Sequence, residues 1–142
     1  MNTTLAKFEY PQSEIKHFEH WSVLLRPKQV TLGSLILIER SDATAFSELT
    51  DAAMTELTSV IRDIEICLKS AFDYDKINYL MLMLVDPHVH FHVLPRYEGE
   101  RSGGGLTVRD AGWPGQPDLG AAVASDAGVR DWVASYFEAA QP

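Results

Sequence analysis

The stretch DPHVHFHVLPRY, residues Asp86–Tyr97, places three histidines at alternate positions in a chain that has only five. They are His88, His90 and His92, and an apolar residue separates each from the next. Successive side chains of a β-strand point to opposite faces of the sheet. The spacing therefore predicts a strand that carries three imidazoles on one face and turns its apolar residues toward a core.

Three other segments predict strands around the one that runs from Val89 to Leu94. Trp21–Leu25 (WSVLL) and Leu32–Glu39 (LGSLILIE) are rich in strand formers, and a proline lies between them, so we expect neighbouring antiparallel strands. Ile77–Val85 (INYLMLMLV) is apolar at almost every position, which favours a central strand covered on both faces.

Two helices complete the predicted fold. Apolar residues recur every three or four positions from Thr50 to Phe72, and a second such stripe lies within Ser125–Ala139. The pattern indicates one α+β domain over residues 1–142, with an antiparallel sheet of about five strands, a long helix and a C-terminal helix. Its core spans about residues 15–97, and the glycine- and proline-rich residues 98–120 predict a mobile surface loop in which Gly103–Gly105 form a turn.

Composition excludes several classes of function. The formal charge of −8 disfavours a nucleic-acid surface, and no apolar run has the roughly 20 residues of a membrane span. The first residues lack the pattern of a secretory signal, so we expect a cytoplasmic protein without nucleic-acid or membrane partners. The single cysteine, Cys67, is expected to lie in the core.

A row of imidazoles suits phosphoryl chemistry, because a neutral ring nitrogen is a nucleophile near neutral pH and its neighbours can hydrogen-bond phosphate oxygens. One alternative is a zinc or iron site. Residues two apart on a strand are about 6.6 Å from each other, so two of the three histidines could bind one ion with help from elsewhere. The other alternative is that the histidines are polar residues on the wet face of an edge strand.

HVHFHVL, with the following Pro95 and Arg96, resembles the motif of the histidine triad superfamily. The order of predicted elements is similar to that family as well, and so is the Trp-Pro pair that begins at Trp113. The resemblance implies a metal-free and cofactor-free nucleotidyl hydrolase or transferase. It would be a homodimer that cleaves dinucleoside polyphosphates or nucleoside phosphoramidates through a covalent nucleotidyl-histidine intermediate.

The resemblance also implies roles for single residues. His90 would be the nucleophile, His88 would orient it through its backbone carbonyl, and His92 would hydrogen-bond the phosphate and assist the leaving group. Trp113 would lean over the neighbouring subunit's site. The family's fourth histidine is replaced where this chain reads ERSD, residues 39–42, and its polar loop before the triad is replaced by apolar residues that lead into Asp86.

Two further polar residues are candidate substrate ligands. Asn78 either contacts the ligand or makes a structural hydrogen bond across the sheet, because a buried amide needs partners. Arg96 either reaches a phosphate or is solvated or paired with an acid. If turnover is weak or lost, the same fold would serve as a nucleotide-binding or interaction protein, and a metal-dependent enzyme that uses two of the histidines is the other alternative.

Overall fold

A computed structural model describes residues 2–139, and it contains a five-stranded antiparallel sheet with the strand order β1-β2-β4-β6-β5. The strands are β1 (Glu14–His17), β2 (Trp21–Leu25), β3 (Lys28–Gln29), β4 (Leu35–Glu39), β5 (Lys76–Leu80), β6 (His90–Arg96), β7 (Glu100–Gly103), β8 (Leu106–Arg109) and β9 (Val123–Ala124). The helices are α1 (Thr3–Lys7), α2 (Asp51–Phe72) and α3 (Ala127–Ala139), and there are two short 3-10 helices, Phe46–Glu48 and Leu119–Ala121. The predicted α+β class and the five-stranded antiparallel sheet are confirmed.

The long helix α2 begins and ends at clear signals. The Thr50 hydroxyl accepts a hydrogen bond from the backbone N–H of Ala53, which caps the start. At the other end Asp73 adopts a left-handed conformation with φ of 48°. The buried stripe of α2 packs on one face of the sheet together with α3, so the predicted C-terminal helix is part of the main hydrophobic core.

The two faces of the sheet have different partners. Odd-numbered residues of β6, such as Phe91 and Val93, join the core beneath α2 and α3, and so does Tyr97 directly after the strand. The even-numbered residues point to the opposite face, where His90 pairs with Ile38 and His92 pairs with Ile36. We call this second surface the histidine face. It carries a smaller apolar cluster formed by Leu24, Ile36 and Ile38 with Phe8.

The prediction of a central strand over Ile77–Val85 is wrong in two respects: the second half of the segment is not a strand, and the strand that does form is not central. β5 ends at Leu80, and it is the last strand of the sheet, paired with β6 on one side. Met83 has a positive φ of 53°, which is incompatible with a continuing strand, and Leu84 and Val85 are 79% and 82% exposed. A continuous apolar run is therefore typical of a strand covered on both faces, but here its second half is largely exposed to solvent.

Residues 98–120 are more ordered than the sequence predicts. They contain the hairpin β7–β8, whose turn uses Gly104 and Gly105 at φ of 59° and 84°. A Cβ atom on Gly104 would lie 2.6 Å from the Cα of Val129 in α3, so this position requires glycine as well as a turn. The turn at Gly103–Gly105 is confirmed, and the hairpin packs against the C-terminal helix.

Cys67 is buried in the main core, as expected. Burial, followed by the negative charge of Asp63, raises the pKa of its thiol to about 12, so the thiol stays protonated and unreactive at neutral pH. Across residues 2–139 no helix combines the length and apolar character that crossing a bilayer requires. The cytoplasmic location stays a prediction.

Candidate active site

The three histidines lie close together where β6 begins. His90 is the first residue of the strand and His88 precedes it, and both are buried. The rings of His90 and His92 meet edge to face, with their centroids 5.3 Å apart. The alternation in the sequence therefore places the imidazoles of His90 and His92 side by side on the histidine face, and His88 precedes them in the chain.

One hydrogen bond fixes the tautomer of His90. Its Nδ1 lies 2.7 Å from the backbone carbonyl oxygen of His88. A carbonyl oxygen can only accept, so Nδ1 carries the proton and donates it. In the neutral ring the lone pair is then on Nε2, which is the form that an attacking imidazole needs. The backbone of one histidine thus prepares the ring of the next.

His92 is held in its neutral form. Burial is the main cause that lowers its pKa, the neighbouring Arg26 and His90 lower it further, and Asp86 opposes them, so that the pKa is about 4. Its Nδ1 is buried and lacks a hydrogen-bond partner among residues 2–139. At neutral pH this ring can donate one N–H and accept one hydrogen bond, and it bears no charge.

The N-terminal segment packs over the histidine face. The hydroxyl oxygen of Thr4 lies 2.9 Å from Nδ1 of His88 and accepts a hydrogen bond from the His88 backbone N–H at 3.4 Å. The ring of Phe8 lies 5.9 Å from that of His90 and 6.2 Å from that of His92. The sequence analysis missed this segment, because it has no motif and meets the triad only in the folded chain.

Side-chain hydrogen bonds anchor the segment at its first described residue. The amide of Asn2 donates to the backbone carbonyls of Glu39 and Ser41, and its oxygen accepts from the backbone N–H of Leu5, which caps α1. Asparagine at a helix N-cap is a recognisable local signal. The anchor ties α1 to the end of β4, so the residues that approach His88 have a fixed position.

Asp86 does not face the site as an isolated negative charge. Its carboxylate lies 2.8 Å from the ammonium group of Lys7, the last residue of α1. The ion pair offsets the repulsion that an unpaired aspartate would exert on a substrate phosphate. Lys7 in the N-terminal segment therefore compensates the negative charge of Asp86, which stands where the family has a polar loop.

Arg96 and Asn78 belong to a buried network. The Arg96 guanidinium donates from Nε and Nη2 to the two carboxylate oxygens of Asp110, at 2.7 and 3.1 Å. Its Nη1 donates to the side-chain oxygen of Asn78 at 2.8 Å, and its Nη2 also donates to the Gly115 carbonyl at 2.9 Å. Of the roles considered for each, the structure has Arg96 paired with an acid and Asn78 in a hydrogen bond across the sheet, and contact of either residue with a substrate stays a prediction.

Trp113 lies half-buried in the turn that this network holds. Its backbone N–H donates to the Asp110 carbonyl, and its bond to Pro114 is cis. The turn is fixed to β6 because Gly115, two residues on, accepts from Arg96. Contact of Trp113 with a neighbouring subunit's site stays a prediction.

The side chains do not form an evident metal centre. Within the described part of the chain no group of three or more His, Cys, Asp or Glu residues is arranged to hold a metal ion. His88 uses one ring nitrogen toward Thr4, and His90 uses one toward a carbonyl. What the arrangement offers chemically is an imidazole whose Nδ1 is fixed by a carbonyl, beside a second, neutral imidazole that can hydrogen-bond a ligand.

Comparisons with known proteins agree with this geometry. The family model described as the HIT domain matches residues 7–99. Three solved histidine triad proteins share the fold. They come from Sinorhizobium meliloti (23% identity, covering 99% of this chain and 96% of that one, TM-score 0.76), Bradyrhizobium japonicum (22%, 98% and 95%, 0.74) and Marinobacter aquaeolei (21%, 98% and 93%, 0.73). No curated protein matches the sequence.

Proposed function

Because the chain belongs to the HIT domain family, we propose that it is a nucleotidyl hydrolase or transferase that uses His90 as its nucleophile. The family itself supports a nucleotide-binding hydrolase or transferase. The observation that carries the finer proposal is the hydrogen bond from His90 Nδ1 to the His88 carbonyl, since it leaves Nε2 with its lone pair on the histidine face. The substrate would be a dinucleoside polyphosphate or a nucleoside phosphoramidate.

The reaction has two steps. Nε2 of His90 attacks the α-phosphorus, a P–N bond forms, and the bond to the leaving oxygen or nitrogen breaks with its electron pair passing to that atom, which takes a proton from solvent. Water or another acceptor then attacks the same phosphorus, gives up its proton to solvent and breaks the P–N bond, which returns neutral His90. The N–H of His92 donates to a phosphate oxygen in both steps.

A nucleotide-binding protein without efficient turnover is the second candidate, and one observation favours it. The low pKa of His92 means that this ring is neutral before substrate binds, so it has no extra proton to give to a leaving group. The two candidates differ in whether a nucleotide becomes attached to His90.

A covalent adduct tests the proposal directly. The purified protein is mixed with adenosine 5′-phosphoramidate or diadenosine tetraphosphate in the presence of a chelator, quenched, and analysed by mass spectrometry for nucleotidyl mass on the peptide that carries His90. We expect an adduct that forms and decays, and its loss together with turnover in His90→Asn. His17→Asn is the matched control, because His17 is an exposed histidine at the opposite edge of the sheet. Turnover that persists in His90→Asn would overturn the assignment, and binding without adduct or product would favour the second candidate.

We also propose that the protein is a homodimer. β5 is an edge strand, so its outer backbone groups are open to a second strand. The exposed side chains of Leu82, Leu84 and Val85 follow it directly, and exposed apolar residues beside an open strand edge are typical of an interface. A second copy that pairs along β5 would cover both features.

A further inference from the structure

Arg26 lies on the histidine face and has no anionic partner. Its Nε is buried and without a hydrogen-bond partner in residues 2–139, and none of the ion pairs among the described residues includes it. Nη1 donates to the backbone carbonyl of Lys28, which leaves the rest of the guanidinium unpaired. A buried guanidinium nitrogen without a partner is costly, so such a group in a folded protein calls for an explanation.

The strand register places Arg26 next to His92. Leu24 pairs with Ile36, and Ile36 pairs with His92, so these three residues form one row across the face. The backbone N–H of Arg26 donates to the Ser34 carbonyl, which puts Arg26 in the next row. With strands about 4.8 Å apart and alternate residues about 6.6 Å apart, its Cα lies roughly 12 Å from that of His92 and roughly 16 Å from that of His90.

Arg26 and His92 are both suited to bind an anion. Each has a buried nitrogen without a partner in the described chain, and the positive charge of Arg26 is one of the causes that keep His92 neutral. An anion beside Arg26 would supply the hydrogen-bond partner that its Nε lacks. Arg26 lies one row beyond His92 on the side away from His90, so the ligand group nearest to it is one attached beyond the phosphate that Nε2 of His90 would hold.

We propose that Arg26 binds a second phosphate of the nucleotide, distinct from the phosphate that His90 attacks, and that it selects substrates that carry one. The inference rests on the proposed function in that the histidine face binds a nucleotide. The second phosphate has two chemical sources, the sugar or the polyphosphate chain. In either case Arg26 determines specificity and takes no part in bond breaking.

Binding of three simple nucleotides tests the inference without turnover. Isothermal titration calorimetry is performed with AMP, adenosine 3′,5′-bisphosphate and ADP. The first has one phosphate, the second adds a phosphate on the sugar, and the third adds one on the chain. We expect one of the two bisphosphates to bind roughly 10- to 100-fold more tightly than AMP, as a charge-assisted contact provides. Which one it is identifies the source of the second phosphate.

The variant Arg26→Gln should remove that preference and leave the affinity for AMP within about twofold, because the contact is absent from AMP. Arg40→Gln is the matched control. Arg40 lies on the same face at the other end of the sheet, where it hydrogen-bonds Ser22 and lies near Glu14, so its loss should leave the preference intact. Arg26→Lys should keep part of the preference through its charge.

Equal affinity of the wild-type protein for all three nucleotides would overturn the inference, and so would an equal loss for all three in Arg26→Gln. If the preference is found but no His90 adduct or product forms, the proposed catalysis fails while the role of Arg26 stands. If adducts form but no preference is found, the role of Arg26 fails alone. Absence of binding of any of the three would count against both.

Discussion

Replacing Asp110 by asparagine should destabilise the fold strongly, because it leaves the buried charge of Arg96 without its counterion. The side chains of Arg96 and Asp110 are 4% and 1% exposed, and two parallel hydrogen bonds join them. The same carboxylate accepts the backbone N–H of Tyr97. Removing one partner of a buried pair costs about 3–5 kcal/mol, mainly through the charge that stays buried.

That loss is a large part of the total, since domains of this kind are stable by about 5–15 kcal/mol. For a chain of this size it corresponds to a decrease in Tm of roughly 6–20 °C. Urea unfolding followed by circular dichroism measures the change, with the slope of the transition checked for two-state behaviour. Asp131→Asn is the matched control, because Asp131 pairs with Arg130 at the surface, and it should change stability by less than about 0.5 kcal/mol.

A double variant separates the two causes. Arg96→Met combined with Asp110→Leu removes both charges, so it should lose less stability than Asp110→Asn alone. A loss below about 1 kcal/mol in the single variant would refute the argument that the pair is buried and complete. A double variant that is less stable than the single one would show that packing and the Tyr97 N–H matter more than the uncompensated charge.

Three other predictions follow from the site. Thr4→Val, which removes the hydroxyl beside His88, should lower kcat about 2- to 10-fold while Thr4→Ser keeps it, and equal rates in all three proteins would remove Thr4 from the positioning of the triad. The folded-state pKa of His92 lies below its unfolded value of about 6.5, so the unfolded chain takes up a proton first and stability falls as the pH decreases from about 6.5 to 4; His92→Asn should flatten this part of the pH–stability curve, and an unchanged slope would contradict the assignment. Sedimentation velocity should show a dimer that Leu84→Asp with Val85→Asp converts to a monomer, whereas a monomeric wild-type protein would exclude the proposed interface.

Periodic patterns made much of the fold predictable. The stripe of α2 and the alternation of β6 each depend on local spacing, which the chain carries without knowledge of its tertiary contacts. The prediction for Ile77–Val85 was wrong because an apolar sequence does not show whether other parts of the protein cover it. Its last residues are exposed beside the open edge of the sheet. Local pattern therefore identifies elements better than it identifies their neighbours.

The candidate site was predictable where its residues are contiguous. The motif gave His88, His90 and His92, and the hydrogen bond between the first two is local. Pairing of Arg96 with an acid was one of the predicted alternatives, but Asp110 could not be identified as that acid, because it lies in a glycine- and proline-rich segment that predicts a loose loop. Arg26 stands out only once the strand register places it one row from His92.

The contact between Thr4 and His88 closes a loop of 84 residues, and this separation affects the order in which the protein can form. At a synthesis rate of about 5–20 residues per second, roughly 4 to 17 s pass between the making of Thr4 and the making of His88. Until then the part of the chain that Thr4 contacts is missing, and a contact this distant in sequence also carries a high entropy of loop closure. The segment that carries Thr4 is therefore synthesised well before His88 but completes its docking only after it. During refolding, recovery of the proposed activity would report that docking event, whereas circular dichroism would report the earlier formation of α2.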